Sequence, residues 1–448
     1  MLTSGIIPAI RHALATLTTT DAIVLPASAT VYVQAVELRT TSVCGFDMSP
    51  ANLYRHHPTF GGGAPLDMSN VKVLSQPKEV WYFDLGSPPE RSDVKKIDVE
   101  FEQDGKWNAV IFWYKLHLWG DVYITTGPEA STMAPGTRHL QPALQYLAGE
   151  LRVDAGTILP LTASHNTVGM RFDIEAADYL HLMKSDFSFP QRHFNMLADH
   201  SRLAAYERAI ARAVEEKTRK DGEVHALDVG TGSGILALLT ARAGAKTVVA
   251  CDLHHSLCDV ARKTAAAAGL LGKKITVVHK DAGLLQRGRE VRPLGVNLVV
   301  ADIFDSGLLG DQFSYILDLT KRKVVQAGAT VIPAAATVYC MGVEIFKEEV
   351  EGVSVKSFNK YRWDSDYKEI RLSDVPHRRL TLPSQVSEYY FNGGTRSKGR
   401  EGLMKLETIA SGYLNAIVFW FDLHLDDIET ITSGENCFSS AFCGVLYY

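Results

Sequence analysis

The chain has 448 residues, 46% hydrophobic and 22% charged, an ordinary globular composition with room for two to four domains. Lys+Arg 46 against Asp+Glu 51 leaves a net charge of −5. That balance excludes a generally basic, phosphate-coating protein and makes cationic partners at least as plausible as nucleic acid.

Six cysteines show no CxxC and no paired spacing, so no metal site or disulfide framework is expected and a reducing compartment is the natural home. No apolar run reaches the roughly 18–20 residues needed to span a bilayer. The opening stretch to Arg11 lacks the basic start and long apolar run of a signal peptide. A soluble chain of the cytoplasm, the nucleus or both is expected, without membrane or direct nucleic-acid partners.

An internal repeat organises the sequence. Leu25-Pro-Ala-Ser-Ala-Thr-Val-Tyr-Val-Gln-Ala-Val-Glu37 recurs as Ile332-Pro-Ala-Ala-Ala-Thr-Val-Tyr-Cys-Met-Gly-Val-Glu344, an offset of 332 − 25 = 307. Asn108-Ala-Val-Ile-Phe-Trp-Tyr-Lys-Leu-His-Leu118 recurs as Asn415-Ala-Ile-Val-Phe-Trp-Phe-Asp-Leu-His-Leu425 at the same offset. Dense Val, Tyr, Phe and Trp, alternating with polar residues and punctuated by Gly and Pro, make both copies β-structure. The first continues through strand-like stretches at 156–165 and 168–175. The second stops at Tyr448, near the position of Tyr146, and is expected to lack those two.

Between the copies the texture changes. Residues 197–216 carry apolar residues at helical spacing. Residues 224–229 form a short apolar strand running into Gly230-Thr-Gly-Ser-Gly234 and an Ala/Leu helix. Further apolar strands are expected at 247–253, 275–279 and 296–304. Alternating β and α implies a parallel sheet wound on both faces. A last helix near 313–325 aligns at offset 307 with residues 6–18, so the N-terminus reads as the tail of a lost first α/β domain.

The glycine turn carries the first chemical signal. Gly230 and Gly232 allow a tight turn and a close backbone approach. The spacing is G-x-G-x-G, with Ile235 where a dinucleotide fingerprint wants its third glycine, so NAD is disfavoured. S-adenosylmethionine carries no phosphate and suits the looser turn. Asp252, closing the second strand, stands where an acid can accept hydrogen bonds from ribose hydroxyls. The second signal is Asp302-Ile-Phe-Asp-Ser-Gly-Leu-Leu-Gly-Asp311 after the fourth strand, at the carboxyl end where open parallel sheets place ligands.

Together with His193-Phe-Asn-Met-Leu-Ala-Asp-His-Ser-Arg202, the Leu-Asp-Val-Gly-Thr-Gly-Ser-Gly turn and the Ile-Pro-Ala-x-Ala-Thr-Val-Tyr strand, this loop resembles the protein arginine N-methyltransferases, particularly their tandem-module branch. The resemblance covers nearly all of the chain. It implies a Rossmann-like class I methyltransferase domain at 186–334, flanked by two β-barrels: one at 1–185 behind the tail of a first module, and a truncated one at 335–448. It further implies that Arg202 pairs with the cofactor carboxylate, that Met196 packs near the sulfonium, and that Asp228, Gly230, Gly232, Asp252 and Asp281 complete the cofactor set. Asp302 and Asp311 take the places of the family's two catalytic glutamates. Arginine-containing proteins would be the substrates, with barrel–barrel or pseudo-dimer contacts within or between chains.

Several features depart from that pattern. Both loop acids are Asp, one methylene short, and a misplacement of about 1 Å can cost on the order of 100-fold in rate. The family's Thr-His-Trp barrel loop has only a partial counterpart, Arg138-His-Leu140, and Ser440-Ala-Phe442 in the second copy has no histidine. Phe187-Ser-Phe189 lacks the family's tyrosines. A catalytically weak or inactive scaffold therefore stands as the alternative, and methylation of a small molecule is less favoured. His117 and His424 are expected to be structural barrel residues, Lys217–Lys220 a solvated helix end, and Asp305 a turn cap before a third pocket acid.

Overall fold

The computed structural model describes residues 5–54, 71–88, 92–128, 142–166, 169–175, 191–305, 307–308, 312–346, 348–361, 368–370, 372, 375–392, 403–434 and 443–447. The chain divides into two compact units, Met1–Thr41 with Ala51–Phe194, and Ser42–Pro50 with Asn195–Tyr448.

Two antiparallel sheets share one core in the first unit. Ser28–Leu38 lies between Gly105–Trp119 on one side and Val71–Val73 and Lys78–Asp84 on the other; Gly105–Trp119 also pairs with Val122–Thr125 and Ala143–Val153. The smaller sheet is Asp93–Glu100, Ile158–His165 and Met170–Ile174. Trp81, Phe83, Trp107 and Phe112 of the larger sheet meet Leu161, Ala163 and Phe172 of the smaller one in a single apolar cluster. Burying these aromatic side chains supplies most of the driving force for closing the two sheets on each other.

The second unit holds a seven-stranded antiparallel sheet in which Ala335–Glu344 pairs with Ala416–His424, Ser384–Tyr390 and Arg378–Arg379. The 307-residue offset maps it onto the larger sheet of the first unit. Tyr32 stands opposite Trp113 and Tyr339 opposite Trp420, stacked at 5.9 Å and 5.8 Å between ring centroids. Both copies slip register after the same valine, Val31 and Val338. The buried polar residues repeat as well. Asn108 Oδ1 accepts from the Leu38 amide at 2.9 Å, and Asn415 Oδ1 from the Ile345 amide at 2.8 Å. Each satisfies a buried backbone donor that the ladder leaves unpaired. His424 is tied through both ring nitrogens to Thr337 and Thr430, the structural role expected of it.

The same unit contains the parallel sheet, in the order Ile275–His279, Thr247–Asp252, His225–Val229, Val296–Ala301, Val325–Ile332. The first four strands fall where the apolar runs place them. The fifth was not legible: Val-Gln-Ala-Gly-Ala-Thr-Val-Ile is small, glycine-interrupted and weakly patterned. It also explains a misreading of Lys217. That residue is buried, not solvated, because its ammonium donates to the Gly328 carbonyl of the fifth strand at 2.6 Å and faces Asp221 at 3.5 Å. The single helix expected over 197–216 is instead two, Gln191–Ala198 and His200–Asp221, broken at Asp199. The Asp199 carboxylate accepts from the Arg202 amide at 3.0 Å and so starts the second helix as its N-cap.

One titratable group sits in the apolar interior of the first unit. His165 packs edge-on against Trp81 and Phe83, with its Nδ1 buried and unpartnered. Burial lowers its pKa, opposed by the Asn166 backbone and Asp93 and reinforced by Lys95. The folded state thus holds neutral imidazole, and stability is lost as pH falls through the unfolded value near 6.5. Thermal unfolding should show a melting temperature that declines below about pH 6.5, and His165→Leu should flatten that decline.

Candidate functional site

The strand ends of the parallel sheet gather the residues that the sequence singled out. His225–Val229 is buried along its whole length and delivers the chain into the glycine turn. Gly230, Gly232 and Gly234 all have positive φ, at 69°, 54° and 90°. Gly230 is required for a reason the sequence did not show. A Cβ there would lie 2.1 Å from Ile303 Cγ2, so the residue after Asp302 packs into the space where a side chain would stand. At Gly232 the nearest atom to such a Cβ would be 4.0 Å away, so this glycine is the one with open space beside it.

Asp252 ends the neighbouring strand, and its carboxylate is fixed by two backbone amides. Gly232 donates to Oδ2 at 3.0 Å and His254 to Oδ1 at 2.9 Å. Each oxygen keeps a second lone pair. The turn and the acid are thus one hydrogen-bonded unit.

Asp228 lies beneath the turn, 1% exposed, with Oδ2 accepting from the Thr231 hydroxyl at 2.6 Å and Oδ1 buried without a partner. Burial pushes its pKa up to about 7, opposed by the Thr231 hydrogen bond and the nearby Ala237 amide and reinforced by Asp252 and Asp302. Asp281 follows the third strand, but its Oδ1 accepts from the Gly283 amide at 2.7 Å, capping a short 3-10 turn. Met196 is half-buried near the end of its helix.

Asp302 follows Val296–Ala301 directly. The Arg202 guanidinium contacts Asp302 Oδ1 through Nη2, and the Tyr206 hydroxyl lies 3.1 Å from that same oxygen and 3.0 Å from the Ala301 carbonyl. Arg202 was expected on a cofactor carboxylate and Asp302 open to a substrate; in the structure they hold each other. Burial opposes the charge of Arg202, yet Asp302 with Tyr206 and Asp199 outweighs it and leaves the pKa raised. Tyr206 was missed. The signal was available in its position four residues after Arg202, which puts both side chains on one helix face. Asp311 lies outside the described residues, as do Arg138–Leu140, Phe187–Phe189 and Ser440–Phe442. Asp305 accepts from the Leu308 amide through its carbonyl at 3.0 Å, part of a turn. Among the described residues no cluster of His, Cys, Asp or Glu could hold a metal ion.

A parallel sheet, a glycine turn beside a strand-end acid and a second acid one strand from the turn define a Rossmann-like α/β domain. Residues 209–331 match the family model of ribosomal protein L11 methyltransferase (PrmA), and residues 27–175 match the arginine methyltransferase oligomerization subdomain. The chain is similar in sequence to protein arginine N-methyltransferases. Protein arginine N-methyltransferase 7 of Drosophila grimshawi is 28% identical over 266 residues, which is 55% of this chain and 37% of the relative. The Drosophila melanogaster protein of the same name is 28% identical over 252 residues, 52% of this chain and 36% of its own. The chain thus spans a little over a third of the length of these relatives. Among solved structures, Arabidopsis thaliana protein arginine methyltransferase 10 aligns at 18% identity with a TM-score of 0.47, covering 58% of this chain and 83% of the other. The Trypanosoma brucei PRMT1 enzyme–prozyme complex with AdoHcy aligns at 18% identity with a TM-score of 0.44, covering 57% and 81%.

The raised pKa of Asp228 carries a testable consequence. Its folded value near 7 lies above the ordinary carboxylate value, so the native state holds an extra proton and stability falls as pH rises from about 4 to about 7. Asp228→Asn removes the titration and keeps an acceptor for Thr231. Its stability relative to wild type, measured by thermal unfolding, should therefore improve between pH 5 and pH 8.

Proposed function

We propose that the chain is an S-adenosylmethionine-dependent protein arginine N-methyltransferase, transferring methyl to a guanidino nitrogen of arginine-containing proteins. The observation that carries the reading is the grip of Asp302 on a guanidinium, that of Arg202, one strand away from the glycine turn and two from Asp252. A carboxylate at this strand end accepts the chemical group that the substrate would present.

The residues present fit the cofactor. Asp252 is oriented by backbone amides with lone pairs left for ribose hydroxyls, Gly232 has open space beside it, and the orphaned Asp228 Oδ1 suits a donor such as an α-amino group. Arg202 would take the carboxylate end and Met196 the sulfonium side, with Asp281 at the rim. When bound, S-adenosylmethionine supplies an electrophilic methyl carbon on a sulfonium. The protein's part is to present the nitrogen. A guanidinium stays protonated in water, with pKa above about 12, and its nitrogens are poor nucleophiles. Asp302, with Asp311, would draw the positive charge to one side, leaving lone-pair character on the nitrogen aimed at the methyl carbon.

In this reading residues 1–185 and 335–448 are β-barrel modules that precede and follow the catalytic module at 186–334 in sequence. The barrels contact each other or a partner chain, a role supported by the oligomerization-subdomain match at residues 27–175. The chain works in the cytoplasm or nucleus.

The Arg202–Asp302 contact also favours a second reading. An acid already neutralised by an internal guanidinium, on an arm one methylene short, suits a cofactor-binding scaffold that transfers nothing. Transfer of labelled methyl to arginine-rich peptides separates the two. Wild type should label the peptide, and Asp302→Asn should cut transfer far more than cofactor binding. No transfer by wild type or by the Asp302→Glu/Asp311→Glu double variant, with cofactor still bound, would make the scaffold reading correct. Asp252→Ala should weaken S-adenosylmethionine about 10- to 100-fold in calorimetry, the size expected for losing hydrogen bonds to a charged group; unchanged affinity would remove Asp252 from the cofactor site.

A further inference from the structure

Asp302 has two oxygens, and the structure treats them differently. Arg202 and Tyr206 both reach Oδ1, whereas among the described residues no hydrogen bond is made to Oδ2. Tyr206 is fully buried, in the second turn of helix His200–Asp221, four residues after Arg202. Its hydroxyl is shared between the carboxylate and the carbonyl of Ala301, the residue before Asp302. The phenol therefore measures the side chain of Asp302 against its own strand.

We propose that Tyr206 is a positioning residue for the acid: its hydroxyl, with Arg202, turns Oδ1 of Asp302 inward and so leaves Oδ2 to the substrate guanidinium. The proposal rests on the methyltransferase reading given above for Asp302. A short side chain suits the arrangement, because an aspartate carboxylate stays close enough to the strand for a phenol bonded to the Ala301 carbonyl to touch it. Burial, with the adjacent Asp302 carboxylate, raises the pKa of Tyr206 well above that of free phenol, so the hydroxyl keeps its proton and remains a donor at any working pH. One donor proton divided between two acceptors leans toward the charged one, where the hydrogen bond is stronger. In the methyltransferase reading Arg202 would also serve the cofactor carboxylate, whereas the second acceptor of Tyr206, the Ala301 carbonyl, belongs to the same strand end as Asp302.

The test is Tyr206→Phe, which keeps the ring in the core and deletes the hydroxyl. Methyl transfer to an arginine-rich peptide should fall about 10- to 100-fold, the scale of one hydrogen bond to a charged group, while the KM for S-adenosylmethionine changes less than about 2-fold. A residue that only supported the fold would lower the rate in any background. In Asp302→Glu the carboxylate is carried one methylene away from the phenol, so adding Tyr206→Phe there should change the rate less than about 2-fold. Equal activity of Tyr206→Phe and wild type, or equal losses in the Asp and Glu backgrounds, overturns the proposal. If wild type transfers no methyl, the parent reading has failed, and the positioning role is then decided by crystal structures. An Asp302 conformer that is the same in wild type and Tyr206→Phe overturns it, and one that turns in the variant supports it.

Discussion

A guanidinium withdrawn from water needs an anion, and the methyltransferase-like domain is arranged around meeting that need at Arg202. Its side chain is 23% exposed and that of Asp302 only 12%, so the pair is largely shielded from solvent. Removing one partner from such a pair typically costs about 3–5 kcal/mol, because the other charge is left stranded. Three choices of sequence follow from this one contact. Asp199 breaks the helix and restarts it so that Arg202 emerges on the first turn, Tyr206 follows one turn later on the same face, and Asp302 stands at the first residue beyond the strand.

The acids around the glycine turn are held in contrasting ways. Asp252 is satisfied by two amides, Asp302 by a cation and a phenol, and Asp228 by one hydroxyl with one oxygen left over. Three carboxyls at adjacent strand ends would repel one another if all were ionised. At the most buried of them, Asp228, burial raises the proton affinity, and Asp252 and Asp302 add to the effect.

Much of the architecture could be read in the sequence because burial leaves regular marks. The two sheets announced themselves through repeated Val-Tyr and Phe-Trp strands, and the buried Asn108 and Asn415 were inside the repeated segments for a reason that became visible only as their amide partners, Leu38 and Ile345. Four parallel strands were legible from apolar runs. The fifth, at Val325–Ile332, was hidden by Gly328 and Ala327, and with it the buried partner of Lys217. The site was half legible. Gly230, Asp252 and Asp302 are marked by their place at strand ends, a local property. The pairing of Arg202 with Asp302 spans 100 residues and depends on how a helix lies over a sheet, which no local pattern encodes. Tyr206 looked like one more apolar position of an amphipathic helix, because its ring is used that way and only its oxygen is not.

Ile303 gives the glycine turn a mechanical meaning. Its side chain fills the hollow that Gly230 leaves by having no Cβ, and its backbone is bonded directly to Asp302. The loop that would cradle a nucleoside and the loop that carries the acid therefore mesh like two gear teeth with no play between them. A rotation of the peptide at Gly230 cannot be absorbed locally in a densely packed interior. It must displace Ile303 and, through one covalent link, swing the neighbouring carboxylate.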